Sequence, residues 1–482
     1  MGGSSLLPGG GVGSGGQQVA LNRLSSDPYT NSESQHATEV EPSLAVNAST
    51  LVTAFQVGRM FAAGATNIGF ATSTDGGASW TNGLLNGITK FAGGSFNAAS
   101  DPVVAYDQAH STWIIASLGV ASNTDTVLVS RSSDGQNWST PITVSFTPDA
   151  DKDWITCDNN RLSPFYGHCY MEWDDPSQPN NGLVWMSTSQ DGGNTWSPAI
   201  TTADRVAGVG GQPVVSTNGL VIVPIQSSDG TRMLAFTSTN GGASWTAALT
   251  ISNITDHAVA GGLRTSALPS ATVDAAGLVY VVWQDCRFRT NCASNDIVLT
   301  TSSDGITWTV PVGIPIDGIT STVVDHFIPA LAANPATSGP AAQLGLTYYY
   351  YPNTACSVST CQLQVGFIAS SNGGNTWGTA TPVAGPMSLS WLPNTRTGLM
   401  VGDYMATAYS TNQPRAVFAV AQSNTGSTFN EAIYTTVSPF QQLHEAGRRV
   451  TPASALVTTQ SDHPPRKYFD LDQEHPIPPQ KK

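Results

Sequence analysis

Carboxylates, arginines and aromatic side chains cluster in a few short segments of the chain. Four segments carry candidate proton-transfer groups: Glu172 in MEWDDP, Asp285 in WQDCRFR, Asp153 in PDADKDW and His257 in DHAVAGG. Carboxyl and imidazole groups are the usual general acids and bases of enzymes. We therefore take these four as candidate catalytic residues, with Glu172 and Asp285 as the carboxylate pair and Asp153 as the third acid.

Potential binding side chains occur in the same segments or in similar ones elsewhere in the chain. Arginine can bind a carboxylate through two parallel hydrogen bonds, and aromatic rings stack on the apolar faces of other rings. The candidate binding residues are Arg59, Arg264, Arg287, His326, Trp154, Trp173, Tyr350 and Trp391. Structural interpretations stay open for some of these candidates. Asp285 and Arg287 could form an ion pair, Tyr350 could pack in a sheet, and both histidines could hold loops.

Composition excludes some classes of protein. The 482 residues contain 19 Lys and Arg against 33 Asp and Glu, a net charge of -14, which is unlike a nucleic-acid binder or a protein of anionic membranes. Only 11% of residues are charged, while glycine and hydroxyl-bearing residues are abundant. This composition favours short strands and tight turns over helices, so we expect an all-β protein.

A turn motif recurs along the chain. Four full copies fit S-x-(D/N)-x-G-x-x-W, two copies lack one residue, and a last copy is decayed: they lie at 73–80, 189–196, 238–245 and 370–377, at 132–138 and 302–308, and at 423–429. An apolar strand precedes each copy, and two further strands precede that one. A proline often introduces the first strand, where no ladder hydrogen bond is lost. Each unit therefore predicts four antiparallel strands, with the motif as the turn between the third and the fourth.

Units of this kind at this spacing predict a single β-propeller of four-stranded antiparallel blades. Seven blades are favoured and six are the alternative. The propeller would span residues 39–436. Residues 1–38 would be a flexible leader or N-terminal extension, and residues 437–482 a C-terminal tail outside the propeller.

The motif copies resemble the Asp-box (BNR) repeats of the sialidase superfamily, over roughly residues 40–436. The resemblance implies a β-propeller, and propellers with such repeats include sialidases, other glycoside hydrolases, polysaccharide lyases and sugar-binding proteins. Family sialidases carry an (F/Y)-R-I-P motif ahead of the first copy. This chain has none there, and its Arg59 follows the second strand of the first unit. The family's arginine triad and tyrosine nucleophile are therefore not assigned to this chain.

Strand order decides which face of a propeller can hold a site. The turns between strands one and two and between strands three and four lie on one face. The other two sets of connections surround the mouth of the central channel on the opposite face. Because most candidate residues fall in the second group, we predict that Arg264, Arg287, Glu172, Asp285 and His257 converge on one cleft at that mouth.

The cysteines form three pairs that are local in sequence. No pair is a CxxC motif, so redox or metal chemistry is disfavoured, and short disulfide-closed loops are typical of oxidising compartments. The predicted disulfides are Cys157–Cys169, Cys286–Cys292 and Cys356–Cys361. They indicate a secreted protein. Since the first 20 residues lack the features of a signal peptide, its signal would have been removed from this sequence.

Three hypotheses of function follow. The first is a secreted, monomeric glycoside hydrolase that acts on an acidic or complex glycan without a cofactor. The second is a polysaccharide lyase, with His257 or a tyrosine as the base and Arg264 neutralising a uronate. The third is a non-catalytic carbohydrate-binding propeller, which would keep the aromatic residues and lose the paired acids.

A metal site is not assigned. The DADKD segment at 149–153 alternates acids like a calcium loop but lacks the glycine and the glutamate that such loops need. A structural calcium ion there is a minor alternative. The expected partner is a carbohydrate, with no nucleic acid and no membrane.

Overall fold

The computed structural model describes residues 19–122, 124–177, 180–318, 321, 323–441 and 448–452. Within them the chain is all-β, as predicted. Helix is limited to five 3₁₀ segments of three residues each: Lys90–Ala92, Ala260–Gly262, Thr290–Cys292, Gly339–Ala341 and Leu389–Trp391. None of these helices has the length or the apolar character needed to cross a membrane.

The strands follow one another as antiparallel meanders. A short strand, β1, spans Leu21–Arg23. The first meander contains β2 (Glu39–Asn47), β3 (Thr50–Arg59), β4 (Ala65–Ser73) and β5 (Thr81–Leu84), and the second contains β6 (Ala98–Asp107), β7 (Thr112–Val120), β8 (Asp125–Ser132) and β9 (Ile142–Thr147). A bridge between Ala65 and Ala99 joins the two meanders into one eight-stranded sheet.

Three sheets follow in the middle of the chain. The first is three-stranded, and each of the next two has five strands. Their strands are β10 (Asp151–Cys157), β11 (Cys169–Asp175) and β12 (Leu183–Ser189); β13 (Gly208–Val209), β14 (Val214–Val215), β15 (Val221–Ser227), β16 (Arg232–Ser238) and β17 (Leu249–Asn253); and β18 (Ser270–Val273), β19 (Val279–Asp285), β20 (Asp296–Ser302) and β21 (Val312–Gly313). A strand from the C-terminal segment supplies the fifth strand of the last of these sheets.

Two four-stranded sheets and some short pairs complete the described part of the chain. The remaining strands are β22 (Asp325–Ala333), β23 (Leu344–Tyr351), β24 (Gln362–Ser370), β25 (Thr376–Trp377) and β26 (Thr381–Ser388); the hairpin β27 (Asn394–Thr395) and β28 (Gly398–Leu399); β29 (Ala406–Ser410), β30 (Gln413–Ala421) and β31 (Glu431–Thr436); and β32 (Arg448–Arg449) and β33 (Thr451–Pro452). Strand β32 pairs with β25, and β33 pairs with β21.

The first strands of the meanders surround a central channel. Strands β2, β6, β10, β14, β18, β22 and β29 contact one another in that order, and β29 also contacts β2, which closes the ring. The predicted β-propeller is therefore confirmed. The described residues form five sheets of four or more strands and one of three. This division does not match seven or six separate four-stranded blades, so the blade count stays a prediction.

The N-terminal residues that the structure describes belong to the last meander. Strand β1 pairs with β31, and the backbone N–H of Leu24 donates to the carbonyl of Ile433 at 2.7 Å. The repeat pattern predicts that residues 1–38 lie outside the propeller. In the structure, β29, β30 and β31 form three strands of the last sheet, and β1 is its fourth strand. Residues 1–18, 442–447 and 453–482 lie outside the described residues, so the leader and the tail stay predictions there.

A β-bulge interrupts several first strands at one end of the channel. The strand register shifts at four places: Val40/Ser43, Ser100/Val103, Asp151/Trp154 and Phe327/Ala330. Glu41, Asp101, Lys152 and Ile328 occupy these bulges with φ of 55°, 48°, 51° and 48°. A bulge leaves a residue unpaired, which accommodates the proline that follows in three of the four strands. The strands therefore begin before these prolines, contrary to the expectation that proline comes first.

The motif turns connect third and fourth strands where the fourth strand is present. In the first copy, Asp75 Oδ1 accepts the backbone N–H of Ser79 at 2.9 Å, and Trp80 Nε1 donates to the carbonyl of Gly77 at 3.2 Å. The decayed copy at 423–429 differs from the others. It lies between β30 and β31, the second and third strands of the last meander, and so on the other set of connections.

All six cysteines are paired as predicted. The three disulfides are Cys157–Cys169, Cys286–Cys292 and Cys356–Cys361. The first bridges the facing ends of β10 and β11, and the other two close loops that follow second strands. The disulfides therefore fix connections next to the strands that carry most of the candidate residues.

Candidate functional site

A small pocket lies at the end of the channel where the bulges occur. Side chains from several first strands and from the connections that lead into them line this pocket, including Lys152, Asp153, Trp154, Gln212, Asp403 and Tyr404. Trp154 and Gln212 also line the channel itself, so the pocket opens from its mouth. The rings of Trp154 and Tyr404 meet edge to face, with their centroids 5.3 Å apart.

A buried ion network forms one wall of the pocket. Lys152 Nζ lies 2.7 Å from Asp403 Oδ2 and 3.6 Å from a carboxylate oxygen of each of Asp101 and Asp151. Arg264 donates two hydrogen bonds to the same Asp403, from Nε to Oδ1 at 2.7 Å and from Nη2 to Oδ2. Burial acts to raise the pKa of Asp403, but Arg264 and Lys152 hold it below its usual range. Asp403 is therefore ionised, and protein carboxylates bind both cations.

Glu41 joins this network through the backbone. The N–H of Asp403 donates to Glu41 Oε1 at 3.1 Å, and Gln56 Nε2 donates to Oε2. Burial, followed by the nearby charge of Asp101, raises the pKa of Glu41 well above its usual value. Glu41 therefore retains its proton more readily than an ordinary carboxyl group.

Asp153 and Glu172 form a second buried pair, on the neighbouring strands β10 and β11. Trp154, the residue after Asp153, lies opposite Glu172 in the sheet. The exposed fractions of Asp153 and Glu172 are 1% and 0%, and none of their four carboxyl oxygens has a side-chain hydrogen-bond partner. Burial raises the pKa of both groups, with Asp101 adding to the shift of Asp153 and Asp153 adding to that of Glu172.

The space for Glu172 depends on a glycine in the next sheet. A Cβ atom at Gly211 would lie 2.6 Å from the carboxyl carbon of Glu172, closer than a real contact allows. Glycine at this position lets the backbone approach the carboxyl group. Asp153 lines the pocket and Glu172 packs against Gly211, so the arrangement places one buried acid at the pocket and a second on the neighbouring strand.

Asp285 and Arg287 form an ion pair outside the pocket. Arg287 Nη2 lies 2.6 Å from Asp285 Oδ2, and Asp285 also accepts hydrogen bonds from the Thr255 hydroxyl at 2.8 Å and from Trp283 Nε1 at 3.2 Å. The guanidinium carbon of Arg287 lies 5.9 Å from the ring centroid of Trp283. The structural interpretation that the sequence left open therefore accounts for this pair, and neither residue lines the pocket.

The two candidate histidines make structural contacts, His257 in a loop and His326 in a strand. His257 Nδ1 lies 2.9 Å from the carbonyl oxygen of Cys292, and the backbone N–H of His257 donates to Asn295. His326 is buried and meets the ring of Tyr348 edge to face at 5.5 Å. Burial lowers the pKa of His326 to about 4, so its imidazole is neutral at physiological pH.

Among the described residues, one cluster has the side-chain types and spacing of a metal site. Ligand atoms of Asp296, Asp317 and His326 lie within 4.8 Å of one another. Arg289 Nη2 donates to Asp296 and lies 2.5 Å from Asp317 Oδ1. Because the guanidinium already pairs with both carboxylates, we assign no metal ion there.

The remaining candidates have structural contacts. Arg59 is buried, and its Nη1 donates to the carbonyl of Gly64 at 2.5 Å. Trp173 is buried in the core, Trp391 packs against the core partly exposed, and the Tyr350 hydroxyl donates to Gln364 at 2.8 Å.

The structure therefore divides the five residues that we predicted to converge. None of the five lines the pocket itself, but Arg264 binds the lining residue Asp403 and Glu172 lies opposite the lining residue Trp154. Asp285, Arg287 and His257 are held in contacts elsewhere. Asp153, which was the third candidate acid, lines the pocket, whereas Asp285 does not.

Sequence reasoning missed several residues of the site. Glu41, Asp101, Asp403 and Tyr404 were not singled out, although Glu41 and Asp101 lie near the start of the first strands β2 and β6, and Asp403 and Tyr404 lie just before β29. Glu41 and Asp101 precede prolines at matching positions, in EPSLAV and DPVVAY, and Asp403 lies in VGDYM at the start of the last unit. Aligning the units on this position would have brought the three acids together.

Comparisons with known proteins concern the fold. No protein-family model matches the chain, and no curated protein does. Solved structures that resemble it are mostly sialidases and other propeller glycosidases. The Hadza microbial sialidase Hz136 is 15% identical, with 88% of this chain and 67% of that chain covered and a TM-score of 0.42. A protein of unknown function from Dyadobacter fermentans is 15% identical (73% and 99% covered, TM-score 0.46), and an α-L-arabinofuranosidase from Podospora anserina is 12% identical (73% and 96% covered, TM-score 0.38).

Proposed function

We propose that the protein is a glycoside hydrolase whose reaction takes place in the pocket at the channel mouth. The observation that carries this proposal is the pair Asp153 and Glu172, two buried carboxyl groups without side-chain hydrogen-bond partners, one of which lines the pocket. Hydrolysis of a glycosidic bond generally uses two carboxyl groups, and one of them must be protonated at the start.

Asp153 has the properties of the general acid. Burial raises its pKa well above the usual value, which favours the protonated form, and its position in the pocket lining would let it reach a leaving oxygen. Glu172 would be the second carboxyl group of the reaction. The exposed edge of Trp154 and the amide of Gln212 would contact the sugar ring and its hydroxyl groups.

The other two hypotheses have less support. A lyase would need a base at the pocket, but His257 contacts the Cys292 carbonyl, and burial raises the pKa of Tyr404 so that its hydroxyl keeps its proton. A non-catalytic propeller has no need of two adjacent carboxyl groups buried without partners, since such burial destabilises the fold. The buried acid pair therefore favours the hydrolase.

Two further points belong to the proposal. Three disulfides suit an oxidising compartment, so we place the protein outside the cell. The ring of first strands contains β2, β6, β10, β14, β18, β22 and β29, which supports seven blades, with the eight-stranded sheet divided at the bridge between Ala65 and Ala99.

Release of reducing ends from a panel of oligosaccharides tests the proposal. The panel would be incubated with the parent protein and with the variants Asp153→Asn and Glu172→Gln. We expect turnover by the parent, and a loss on the order of 100-fold or more in kcat for Asp153→Asn. The matched control is Asp304→Asn, in an exposed motif turn, which should keep full turnover. A parent that cleaves no member of the panel, or a fully active Asp153→Asn variant, would overturn the proposal.

A further inference from the structure

The charges around the pocket are unbalanced. Among the described residues, six carboxyl groups and two cationic side chains act on one another here: Glu41, Asp101, Asp151, Asp153, Glu172 and Asp403 on one side, and Lys152 and Arg264 on the other. All of these side chains are buried. A buried group feels its neighbours' charges through a low dielectric, so this excess of acids bears strongly on what can enter.

Both cations are already bound by protein carboxylates. Arg264 holds Asp403 with two hydrogen bonds, and Lys152 lies between Asp403, Asp101 and Asp151. A substrate carboxylate would have to compete with these contacts. Arg287, the other arginine expected to bind a substrate carboxylate, pairs with Asp285 away from the pocket.

The counter-charge is weaker for the two remaining acids: Lys152 lowers the pKa of Asp153 while Asp101 and Asp151 raise it, and no cation is among the charges that act on Glu172. The charges that act most strongly on Glu172 are those of Asp153 and Asp151, and both are negative. The four carboxyl oxygens of Asp153 and Glu172 lack side-chain hydrogen-bond partners in the protein. An entering anion would keep both groups protonated and find no opposite charge beside them, whereas an entering cation would supply the opposite charge that allows one of them to ionise.

We propose that the sugar bound in this pocket carries a protonated amino group, so that the substrate is a glycan containing an unacetylated hexosamine. This inference rests on the proposed function and names its substrate class. One added positive charge allows one of the two carboxyl groups to ionise while the other keeps its proton. Hydrolysis requires one protonated and one ionised carboxyl group. The ammonium group of the substrate would therefore favour the ionised form of one carboxyl group, which the pocket without substrate disfavours.

Three monosaccharides test the inference: glucosamine, N-acetylglucosamine and glucuronate. They place an ammonium group, an acetamide and a carboxylate on similar rings. Their dissociation constants for the parent protein would be measured by NMR titration or calorimetry at slightly acidic pH and at two salt concentrations. We expect glucosamine to bind about tenfold or more tightly than N-acetylglucosamine, glucuronate to bind weakest, and added salt to reduce the glucosamine preference.

A pair of variants separates the pocket from the acidic surface of the protein. Glu172→Gln and Asp304→Asn each remove one carboxyl group, but only Glu172 interacts with Asp153 of the pocket lining. Glu172→Gln should bring glucosamine binding close to that of N-acetylglucosamine, and Asp304→Asn should leave the preference unchanged. Equal binding of the three sugars, stronger binding of glucuronate, or an equal effect of both variants would overturn the inference. Cleavage of neutral oligosaccharides in the reducing-end assay would leave the hydrolase proposal standing even if the binding preference failed. The two failures are therefore distinguishable.

Discussion

Glu39 provides a test of how the N-terminal segment closes the propeller. It is the first residue of β2 and has no exposed surface. The Ser25 hydroxyl donates to Glu39 Oε2 at 2.7 Å, and Arg23, on β1, lies 3.7 Å from the same oxygen. Burial raises the pKa of Glu39 from 4.5 to about 7. We predict that Glu39→Gln stabilises the fold at alkaline pH and has little effect in acid.

The sign and size of the effect follow from the pKa. A carboxyl group whose pKa is higher in the folded protein binds its proton more tightly there, so stability falls as pH rises from 4.5 to about 7 and is level above that. A shift of this size corresponds to about 3 kcal/mol, at about 1.4 kcal/mol per unit. Glutamine cannot ionise, and its side-chain oxygen can still accept the Ser25 hydrogen bond. The variant should therefore be about 3 kcal/mol more stable than the parent at pH 8, less a small loss of the half-exposed Arg23 contact.

Urea unfolding between pH 4.5 and pH 8.5, with the disulfides intact, measures this difference. Asp304→Asn is the control, since its carboxyl group lies in an exposed turn where hydrogen bonds hold the pKa below its usual value. Its free energy of unfolding should change little relative to the parent across this range. If Glu39→Gln shows the same pH dependence as the parent, or is less stable at every pH, the reasoning about the buried N-terminal closure is refuted.

Two other predictions follow from the placement of particular residues. Asp285→Asn should lower the melting temperature, because the Arg287 guanidinium and the Thr255 hydroxyl lose their carboxylate partner. The kcat of the folded variant should stay near that of the parent. A large loss of kcat at unchanged stability would show that Asp285 takes part in the reaction. Alkylation of the unfolded, unreduced protein should label no thiol by mass spectrometry, and modification of Cys286 or Cys356 would contradict the disulfides.

Much of the fold could be predicted because it depends on a sequence pattern that is local and repeated. The motif turns, such as Ser73 to Trp80, use hydrogen bonds within eight residues, and the residue types that make them can be recognised in the sequence. The disulfides also link residues that are close along the chain. The fourth strand of the last meander could not be found in this way, because it comes from Leu21–Arg23, about four hundred residues before its partner.

The candidate site was harder to predict for the same reason. Asp153 and Glu172 were recognised because carboxyl groups in loops beside strands are suited to acid–base chemistry. The sequence left open whether Asp285 pairs with Arg287, two residues away, or faces a site, and only the structure decides between these. Asp403 contacts Arg264 and Lys152, both more than a hundred residues away, and no local pattern reveals such a contact.

The proton-donating role of Asp153 is the central claim, and its dependence on the leaving group tests that claim most directly. Parent and Asp153→Asn would be compared on two glycosides of the sugar that the panel identifies, one with a poor leaving group and one with an acidic aryl leaving group that departs without protonation. Loss of a general acid predicts a kcat lower by a factor on the order of 100 or more on the first substrate and a small change on the second. An equal loss on both substrates, or no loss on either, would contradict the account.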